Sequence, residues 1–352
     1  MKQTFFVPIL RPMDMTSKQL KLSALDQSPI RSGGSAAETL RETIALAQAC
    51  ETAGYHRYWL AEHHASHSLA GPAPEILIGH VAAATKSIRV GSGGVMLSHY
   101  SPLKVAENFA VLETLHPGRI DLGIGRAPGS DQLTALALAY GSQIGIEYFP
   151  TRVADLMGFL GTGEPPTEIF KRIKLSPKPD HPPEMWLLGS SDQSALLAAQ
   201  LGLAFSFAQF ITPEGGEYVL EAYRSRFQPS EFYPAPEANI CTFVTCAETQ
   251  QEAERLLKSR ELSLLLREKG EFAPFPSIEE ALAYPYTEQD RAIIARSHRR
   301  GIYGDPATCK AKLTELANKY GVNELVILTI THDPAARRRS YELLADAFQL
   351  VG

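Results

Sequence analysis

The amino-acid sequence predicts an α/β fold, a single barrel of eight parallel strands that alternate with helices. Eight short apolar segments alternate along the chain with segments whose apolar residues recur at helical spacing, and signals for antiparallel hairpins are weak. The chain has 352 residues, 44% of them hydrophobic, which is enough for one large core. Polar residues and glycines cluster where several strands end, and (β/α)8 barrels, or TIM barrels, build their sites there.

The first two strand-helix units are short and clearly delimited. Residues 21–25 predict the first strand, and the turn-forming residues 26–29 end it. Residues 57–61 predict the second strand. Residues 36–53 and 73–85 predict the two helices, because their apolar residues recur every three or four positions.

The third strand leads into a glycine-rich turn. Residues 88–90 predict the strand, and Gly91, Gly93 and Gly94 follow it. Glycines at the end of a strand permit unusual backbone angles or the close approach of a flat ligand. The turn therefore either holds a ligand against its backbone or is a β-bulge that bends the barrel wall. Both interpretations predict a tight backbone.

The fourth strand places an arginine at its C-terminal end. A helix can begin at Pro102 and ends at Pro117, and residues 120–124 alternate between apolar and polar or glycine residues. Arg126 follows directly. The arginine can bind a ligand at this end of the strand or neutralise a surface carboxylate, and its position favours the ligand.

An extended loop region is predicted after strand 4. Residues 127–145 are rich in small residues, residues 153–160 can form a helix, and residues 161–183 contain many prolines. Long loops in compact domains are often lids or binding loops. We expect this region to pass over the barrel mouth.

The remaining predicted elements again alternate between strands and helices. A turn of Gly189, Ser190 and Ser191 precedes an alanine-rich helix, and its free N–H groups and the helix dipole favour an anion. Its serines can equally act as simple N-cap residues. Strands are predicted at residues 184–188, 203–208, 238–246 and 324–330, and helices at residues 192–201, 213–227, 306–320 and 334–350, with intermittent helical segments from 249 to about 298.

Two segments make up the predicted domain organisation. Residues 1–20 fall outside the periodic pattern and are expected to form a loose N-terminal extension, to which we assign no function. Residues 21–352 are expected to form the barrel domain.

Composition argues against several classes of function. The net charge of -5 and the isoelectric point near 6.1 provide no basic patch, so we expect no nucleic-acid partner. No apolar run is long enough to span a membrane, and the N-terminus lacks a signal-peptide pattern, so we expect a cytoplasmic protein. The four cysteines lack metal-site spacing and are interpreted as reduced packing residues.

The motifs together resemble one family. The sequence carries Glu62-His63-His64, the Gly93-Gly94 turn, SPLKVAENFAVLETLHPGRIDLGIGR at 101–126 and WLLGSS at 186–191, in that order. In these segments it resembles the bacterial luciferase-like flavin monooxygenases, and most closely their short standalone members.

This resemblance implies a TIM barrel that binds reduced FMN and uses O2 to oxidise a small organic substrate. It also implies that a separate flavin reductase supplies the reduced FMN and that the protein is a homodimer. The cofactor supplies the difficult chemistry in such enzymes, while the protein orients it and keeps water away.

The resemblance assigns roles to particular residues. It implies that Arg126, Ser191 and Ser194 contact the flavin phosphate and that His63 is a catalytic base beside the isoalloxazine. Gly93 and Gly94 match the place where luciferase has a cis peptide under the ring. The expected cofactor-binding residues are therefore Gly93, Gly94, Arg126, Gly189, Ser190, Ser191 and Ser194, and the expected catalytic residue is His63.

Two departures from the family concern the substrate pocket. Ser190 stands where luciferase has a glutamate, and the segment after Arg126 differs. The interpretation of His63 and His64 as metal ligands is disfavoured, because adjacent strand residues point to opposite faces, so no metal is expected.

Two alternative functions remain open from the sequence. One is a non-catalytic flavin-binding or flavin-storage protein, which would present the same phosphate residues. The other is an oxidoreductase that uses the deazaflavin coenzyme F420. A spectrum of the bound cofactor separates FMN from F420.

Overall fold

The structure is a computed structural model and describes residues 19–127, 131–140, 145–161 and 165–351. The proposed N-terminal extension, residues 1–20, lies outside these ranges except for Gln19 and Leu20. Leu20 packs at the edge of the core.

The strands of the described residues form one parallel sheet that closes on itself. The strands are β1 Lys21–Asp26, β2 Arg57–Leu60, β3 Arg89–Met96, β4 Ile120–Gly125, β5 Glu184–Gly189, β6 Ala204–Ala208, β7 Ala238–Cys246, β8 Gly301–Gly304 and β9 Glu324–Leu328. Sequential neighbours pair from β1 to β7, and β9 joins β7 to β1. The predicted eight-stranded parallel barrel is confirmed, and its eight strands are those predicted from the sequence.

The short strand β8 was not predicted. It pairs with the last four residues of β7, Phe243 to Cys246, while β9 pairs with the earlier part of that strand from Ile240 to Phe243. The strand β7 therefore extends beyond the barrel at its C-terminal end. There it forms a small two-stranded ribbon with β8.

Helices cover the outside of the sheet. They are α1 Ala36–Thr52, α2 Pro74–Ala84, α3 Pro102–Leu115, α4 Gln132–Ala139, α5 Phe149–Phe159, α6 Asp192–Leu201, α7 Gly216–Arg226, α8 Gln250–Glu268, α9 Ile278–Ala283, α10 Glu288–Ser297, α11 Pro306–Tyr320 and α12 Pro334–Phe348. Local sequence sets their ends. Ser35 and Glu38 form a capping box at α1, and Gly202 ends α6 in the left-handed conformation.

The segment between β4 and β5 contains two helices. Helix α5 buries Val153, Leu156 and Phe159 and packs against α3. Helix α4 has no buried residue. Of this segment, α5 therefore contributes to the outer layer of the barrel, where its apolar face is removed from water.

Two tryptophans fill the interior of the barrel. Trp59 and Trp186 are almost fully buried, with ring centroids 5.4 Å apart and planes at 66°. Glycines on the neighbouring strands β3 and β4 lie close to them. A Cβ on Gly93 would lie 2.7 Å from the Leu25 side chain and 3.1 Å from Trp59 Cβ, and one on Gly123 would lie 2.1 Å from a backbone oxygen. These positions can hold only glycine without a shift of their neighbours.

Ion pairs close the N-terminal end of the barrel, which we call the floor. Arg57 Nε lies 2.7 Å from Glu324 Oε1, and Arg57 Nη1 lies 2.8 Å from Asp121 Oδ2. Arg89 Nη2 lies 2.6 Å from the second oxygen of Asp121. Although burial opposes charge there, Asp121 and Glu324 raise the pKa of Arg57. The floor is thus a buried network of paired charges.

No helix in the described part of the chain is both long and apolar enough to span a membrane.

Candidate functional site

A cavity of about 550 Å³ opens at the C-terminal ends of the strands, within the size range of small-molecule sites. The structure brings all eight residues proposed from the sequence to its wall: His63, Gly93, Gly94, Arg126, Gly189, Ser190, Ser191 and Ser194. They come from four neighbouring strands, β2 to β5, or from the loops that follow them. Residues separated by over a hundred positions in the chain thus face one space.

Gly93 and Gly94 form a bare backbone surface on one side of this cavity. Their peptide bond is cis, and the pairing of β3 with β4 shifts register between Ser92 and Val95. A Cβ on Gly94 would lie 2.8 Å from the carbonyl oxygen of Gly123. The backbone is tight here, as both interpretations of the glycines predict, and it offers a flat surface without side chains.

Arg126 and the start of α6 lie together on another side. Arg126 Nη1 donates to Gln193 Oε1 at 2.9 Å, so the guanidinium is held beside the first turn of α6. Ser191 is the N-cap residue, but its side chain makes no capping hydrogen bond. Its hydroxyl and those of the first helix N–H groups that make no hydrogen bond within the chain can bind a ligand. This combination suits an anion such as a phosphate.

Gly189 and Ser194 fix how β5 meets α6. Ser194 is buried, and a Cβ on Gly189 would lie 2.5 Å from Ser194 Cβ. Glycine at position 189 therefore permits the helix to begin directly against the strand end. Asp192 is an acidic residue in the same turn, and its Oδ1 accepts from the Gln193 backbone N–H at 2.8 Å. One of the helix N–H groups is thus already engaged.

His63 is a neutral histidine at the edge of the cavity. Burial, and then the positive charges of Arg267 and His64, lower the pKa of His63 to about 4. Its Nδ1 is buried and has no hydrogen-bond partner among the described residues. At neutral pH the ring therefore offers one N–H donor and one nitrogen lone pair to a bound molecule.

His64 turns away into a separate polar cluster. Its Nε2 lies 2.6 Å from Glu62 Oε1 and 3.1 Å from the Tyr100 hydroxyl, which donates to the same carboxylate oxygen at 2.7 Å. The partners of the His64 ring are therefore side chains. Glu62 Oε2 accepts from Met96 N–H at 3.0 Å, so the cluster ties the loop after β2 to the end of β3.

Sequence reasoning missed the apolar side of the cavity. Leu188, Phe210, Ile211 and Ile146 line it, together with Cys241 on β7. Phe210 and Ile211 follow the end of β6, so the rule that sites gather at strand ends could have indicated them. Cys241 was interpreted as a packing residue; it is buried and also contacts the cavity. This side offers room for an organic substrate rather than for charge.

Within the described ranges, no three or more histidine, cysteine, aspartate and glutamate residues are grouped as a metal ion requires. The cavity instead combines a flat glycine surface, an anion site and a neutral imidazole. It can hold a planar ligand with a charged tail beside a small apolar molecule.

Comparisons with known proteins agree with this arrangement. A family model described as luciferase-like monooxygenase matches residues 20–324. The N-acetyl-S-alkylcysteine monooxygenase of Bacillus subtilis (strain 168) is 40% identical over 330 residues, which cover 93% of this chain and 98% of the relative.

Two solved structures show the same architecture. The crystal structure of apo-MsnO8 has a TM-score of 0.87 and 38% identity, and the match covers 94% of this chain and 99% of the other. The oxygenating constituent of 3,6-diketocamphane monooxygenase from Pseudomonas putida, a type II Baeyer-Villiger monooxygenase in complex with FMN, has a TM-score of 0.69. It is 20% identical, and the match covers 93% of this chain and 97% of the other, so this likeness concerns the fold alone.

Proposed function

Because this chain belongs to the luciferase-like monooxygenase family, it is an oxidoreductase that incorporates oxygen, and we propose that its cofactor is reduced FMN. The single observation that carries the proposal is the convergence of an anion site, a flat glycine surface and His63 in one cavity. Each of these three features fits a different part of FMN.

The phosphate fits the site at Arg126. The guanidinium is beside the first turn of α6, and the N–H groups and hydroxyls of Ser191 and Ser194 face the same space. A guanidinium and a helix N-terminus together favour a doubly charged anion. The oxygenating constituent of 3,6-diketocamphane monooxygenase, which shares this fold and is in complex with FMN, provides additional support.

The isoalloxazine fits the surface formed by Gly93 and Gly94. A fused planar ring needs a wall without side chains, and a Cβ at either glycine would collide with neighbouring atoms, so the wall is built of backbone. His63 lies at the same cavity, near the predicted ring end.

When bound, reduced FMN would supply the reaction of oxygen that transfers one oxygen atom to the substrate. The residues of this chain orient the cofactor, exclude water with Leu188, Phe210 and Ile211, and provide His63 as a neutral partner for a proton or hydrogen bond. With a pKa of about 4, His63 is better suited to accept a hydrogen bond than to keep a proton at neutral pH.

We propose that a separate flavin reductase provides the reduced FMN. The glycines of the segment GIGRAPG at 123–129 lack the GxGxxG spacing of a dinucleotide-binding turn, which leaves no sequence support for an NAD(P)H site. The substrate would be a small organic molecule on the apolar side of the cavity. The relative that acts on N-acetyl-S-alkylcysteine makes thioethers one class to test, beside ketones and aldehydes.

We further propose a cytoplasmic homodimer. Helices α2 and α3 pack side by side and expose apolar residues, with Ile76 62% exposed and Leu115 66% exposed. Burial of such residues between two copies would remove them from water. Light scattering at micromolar concentration should give the mass of a dimer, and a monomer would contradict this part of the proposal.

The decisive test is titration of the purified protein with FMN, followed by oxygen-dependent turnover with an added flavin reductase and a panel of thioethers, ketones and aldehydes. We expect FMN binding and oxidised product. Absence of flavin binding would refute the proposal. Tight binding of oxidised FMN without turnover on any panel member would favour a storage protein, and a deazaflavin spectrum of copurified cofactor would favour F420.

A further inference from the structure

Glu62 joins the loop after β2 to the end of β3, and the proposed function gives it no role. It contacts the cavity, as Met96 does, and it is 1% exposed. Its Oε2 accepts from the Met96 N–H at 3.0 Å. Its Oε1 accepts from the Tyr100 hydroxyl at 2.7 Å and lies 2.6 Å from His64 Nε2. Both oxygens of this buried carboxylate are therefore hydrogen-bonded, as burial of a charge requires.

The contact with Met96 lies where the regular sheet ladder has ended. The last Cα partners of β2 and β3 are Leu60 and Ser92. Directly after Ser92, the pairing of β3 with β4 shifts register. The flat glycine surface of residues 93 and 94 therefore lies beyond the ladder with β2 and within the irregular part of the ladder with β4. The hydrogen bond from Met96 to Glu62 replaces backbone pairing between β2 and β3 at this point.

The position of His63 depends on the same segment. His63 follows Glu62 in the chain, and its backbone N–H donates to the carbonyl oxygen of Gly71 at 3.0 Å. Its ring Nδ1 has no hydrogen-bond partner among the described residues. Since no contact at Nδ1 fixes the ring, its position follows that of the backbone that carries it. Glu62 ties that backbone to the end of β3.

We propose that Glu62 is a positioning residue that sets the place of His63 relative to the flat glycine surface, and that it acts through its hydrogen bond to Met96. The inference rests on the proposed function, since the isoalloxazine of FMN is the group that would meet both. If this role is correct, the reach of the Glu62 side chain matters more than its charge.

Two substitutions separate reach from charge. Glu62→Gln has the same length and keeps an oxygen that can accept from the Met96 N–H, while its amide can donate to the Tyr100 hydroxyl oxygen. Glu62→Asp keeps the charge but is one methylene shorter. A role in positioning predicts a defect in Glu62→Asp, whereas a role of the charge predicts a defect in Glu62→Gln.

The first measurement is titration of the wild type and the variants with oxidised riboflavin and oxidised FMN. Riboflavin has the ring system of FMN without the phosphate, so its affinity reports the ring end alone. Glu62→Asp should bind both flavins about ten- to a hundredfold more weakly, the range known for residues that orient metal ligands from behind. Glu62→Gln should bind them within about threefold of the wild type.

The second measurement needs no flavin. Burial is the main reason that the pKa of His63 is lowered from 6.5 to about 4. NMR titration of the histidine ring signals follows this pKa in the free protein. Glu62→Asp should raise it, because a displaced loop admits water to the ring. The negative charge is retained in this variant, so loss of charge cannot be the cause. Glu62→Gln should leave the pKa low.

Two further variants distinguish positioning from stability. Glu51→Asp is the matched control, because Glu51 Oε1 accepts from the backbone N–H groups of Lys86 and Ser87 at 2.7 and 2.6 Å near the floor. It should lower the melting temperature without changing riboflavin affinity or the pKa of His63. Tyr100→Phe removes one partner of Glu62 but keeps the Met96 contact, and it should bind riboflavin as the wild type does.

The outcomes separate this proposal from the proposed function. Failure of the wild type to bind FMN would refute the function, and the His63 titration would still test the Glu62 contact. Wild-type riboflavin affinity in Glu62→Asp, or a loss in Glu62→Gln as large as that in Glu62→Asp, would overturn the positioning role. If Glu62→Asp does not fold, a loss of about tenfold in Glu62→Gln or in Tyr100→Phe would overturn it as well.

Discussion

Two arginines at opposite ends of the barrel, Arg57 and Arg126, differ in how they are paired. At the floor, Arg57 is 4% exposed and contacts Asp121 and Glu324, each within 3 Å. At the mouth, the Arg126 side chain donates to the neutral Gln193 side chain. The first arrangement is complete in the folded chain. We propose that a ligand completes the second.

This difference follows from the cost of burying charge. When a buried ion pair loses one partner, the other charge stays buried without compensation. An unpaired charge at a binding site gains a favourable partner only when a ligand binds. Barrel enzymes place stability at the N-terminal end of the strands and chemistry at the C-terminal end. In this protein, Arg57 at the floor is ion-paired within the chain and Arg126 at the mouth is held by a neutral side chain, although Arg337 pairs with Asp26 at the C-terminal end of β1.

The largest effect is expected at the floor. Arg57→Ala should lower the free energy of unfolding by about 3–5 kcal/mol, because Glu324 would remain buried without its cation and Asp121 would keep only Arg89. Urea denaturation at pH 7 measures it. Arg57→Met combined with Glu324→Gln removes a positive and a negative charge together and should recover part of the loss. A change below about 1 kcal/mol in Arg57→Ala would mean that the network does not stabilise the floor.

A smaller effect is expected at His63. It concerns the turnover rate rather than the free energy of unfolding at neutral pH. His63→Ala should leave FMN affinity nearly unchanged and reduce turnover at saturating FMN by roughly 10²-fold, the lower part of the range for acid–base catalysis. We choose the lower part because a neutral histidine of low pKa is a weak base. His99→Ala is a suitable control, since its ring centroid lies 6.1 Å from that of His64 and it is not among the residues that line the cavity. Unchanged turnover in His63→Ala would remove the proposed role.

Arg126→Ala tests binding at the mouth. It should weaken FMN binding by about ten- to a hundredfold through the loss of a charge-assisted contact, while the urea midpoint stays within error of wild type. Fluorescence titration with FMN measures the first and denaturation the second. Arg126→Lys should bind FMN with intermediate affinity. Normal affinity in Arg126→Ala would place the phosphate elsewhere.

The smallest expected effect is a change in how stability depends on pH. The pKa of His63 is about 4 in the folded protein against an ordinary value of 6.5, so the unfolded chain binds more protons between these values. Stability should therefore fall as the pH drops from about 6.5 to about 4. His63→Gln should make that fall shallower in urea titrations at several pH values. An unchanged slope would show that His63 is not neutral in the folded protein.

His56 at the floor shows why a control is needed for this measurement. Burial, and then Arg57, lower the pKa of His56 to about 4 as well, so it titrates in the same interval. His56→Gln should remove the part of the pH dependence of stability that comes from His56. The double variant should then show the sum of the two changes, because the residues are at different ends of the barrel.

The sequence predicted the order of the eight barrel strands, because each contains an apolar segment, and their approximate bounds except for β3. The glycines predicted as a turn after residues 88–90 lie within β3, which continues to Met96 because its backbone still pairs with β4 there. The sequence did not predict β8, since Gly301–Gly304 has a glycine at each end and no apolar run. Its pairing depends on β7 extending beyond the barrel, which is a tertiary property. The barrel strands could therefore be predicted from their local sequence, whereas the ribbon of β7 and β8 depends on tertiary contacts.

The candidate site likewise has a part that the sequence predicted and a part that it did not. The wall from β2 to β5 could be predicted, because its glycines, serines and arginine follow strands directly in the sequence. The apolar side was missed, although Phe210 and Ile211 follow β6 closely and the same strand-end rule applies to them. Cys241 carries no such signal, because it lies inside β7 in an ordinary apolar segment.

The glycine wall has a consequence for how such an enzyme diversifies. On the side of Gly93 and Gly94 the ligand surface is main chain, so point substitutions have almost no freedom there. On the side of Phe210 and Ile211 the surface is made of side chains, each replaceable in a single mutational step. Directed evolution of specificity should therefore draw its useful variants from the second wall. Cofactor binding would be retained while the substrate specificity changes.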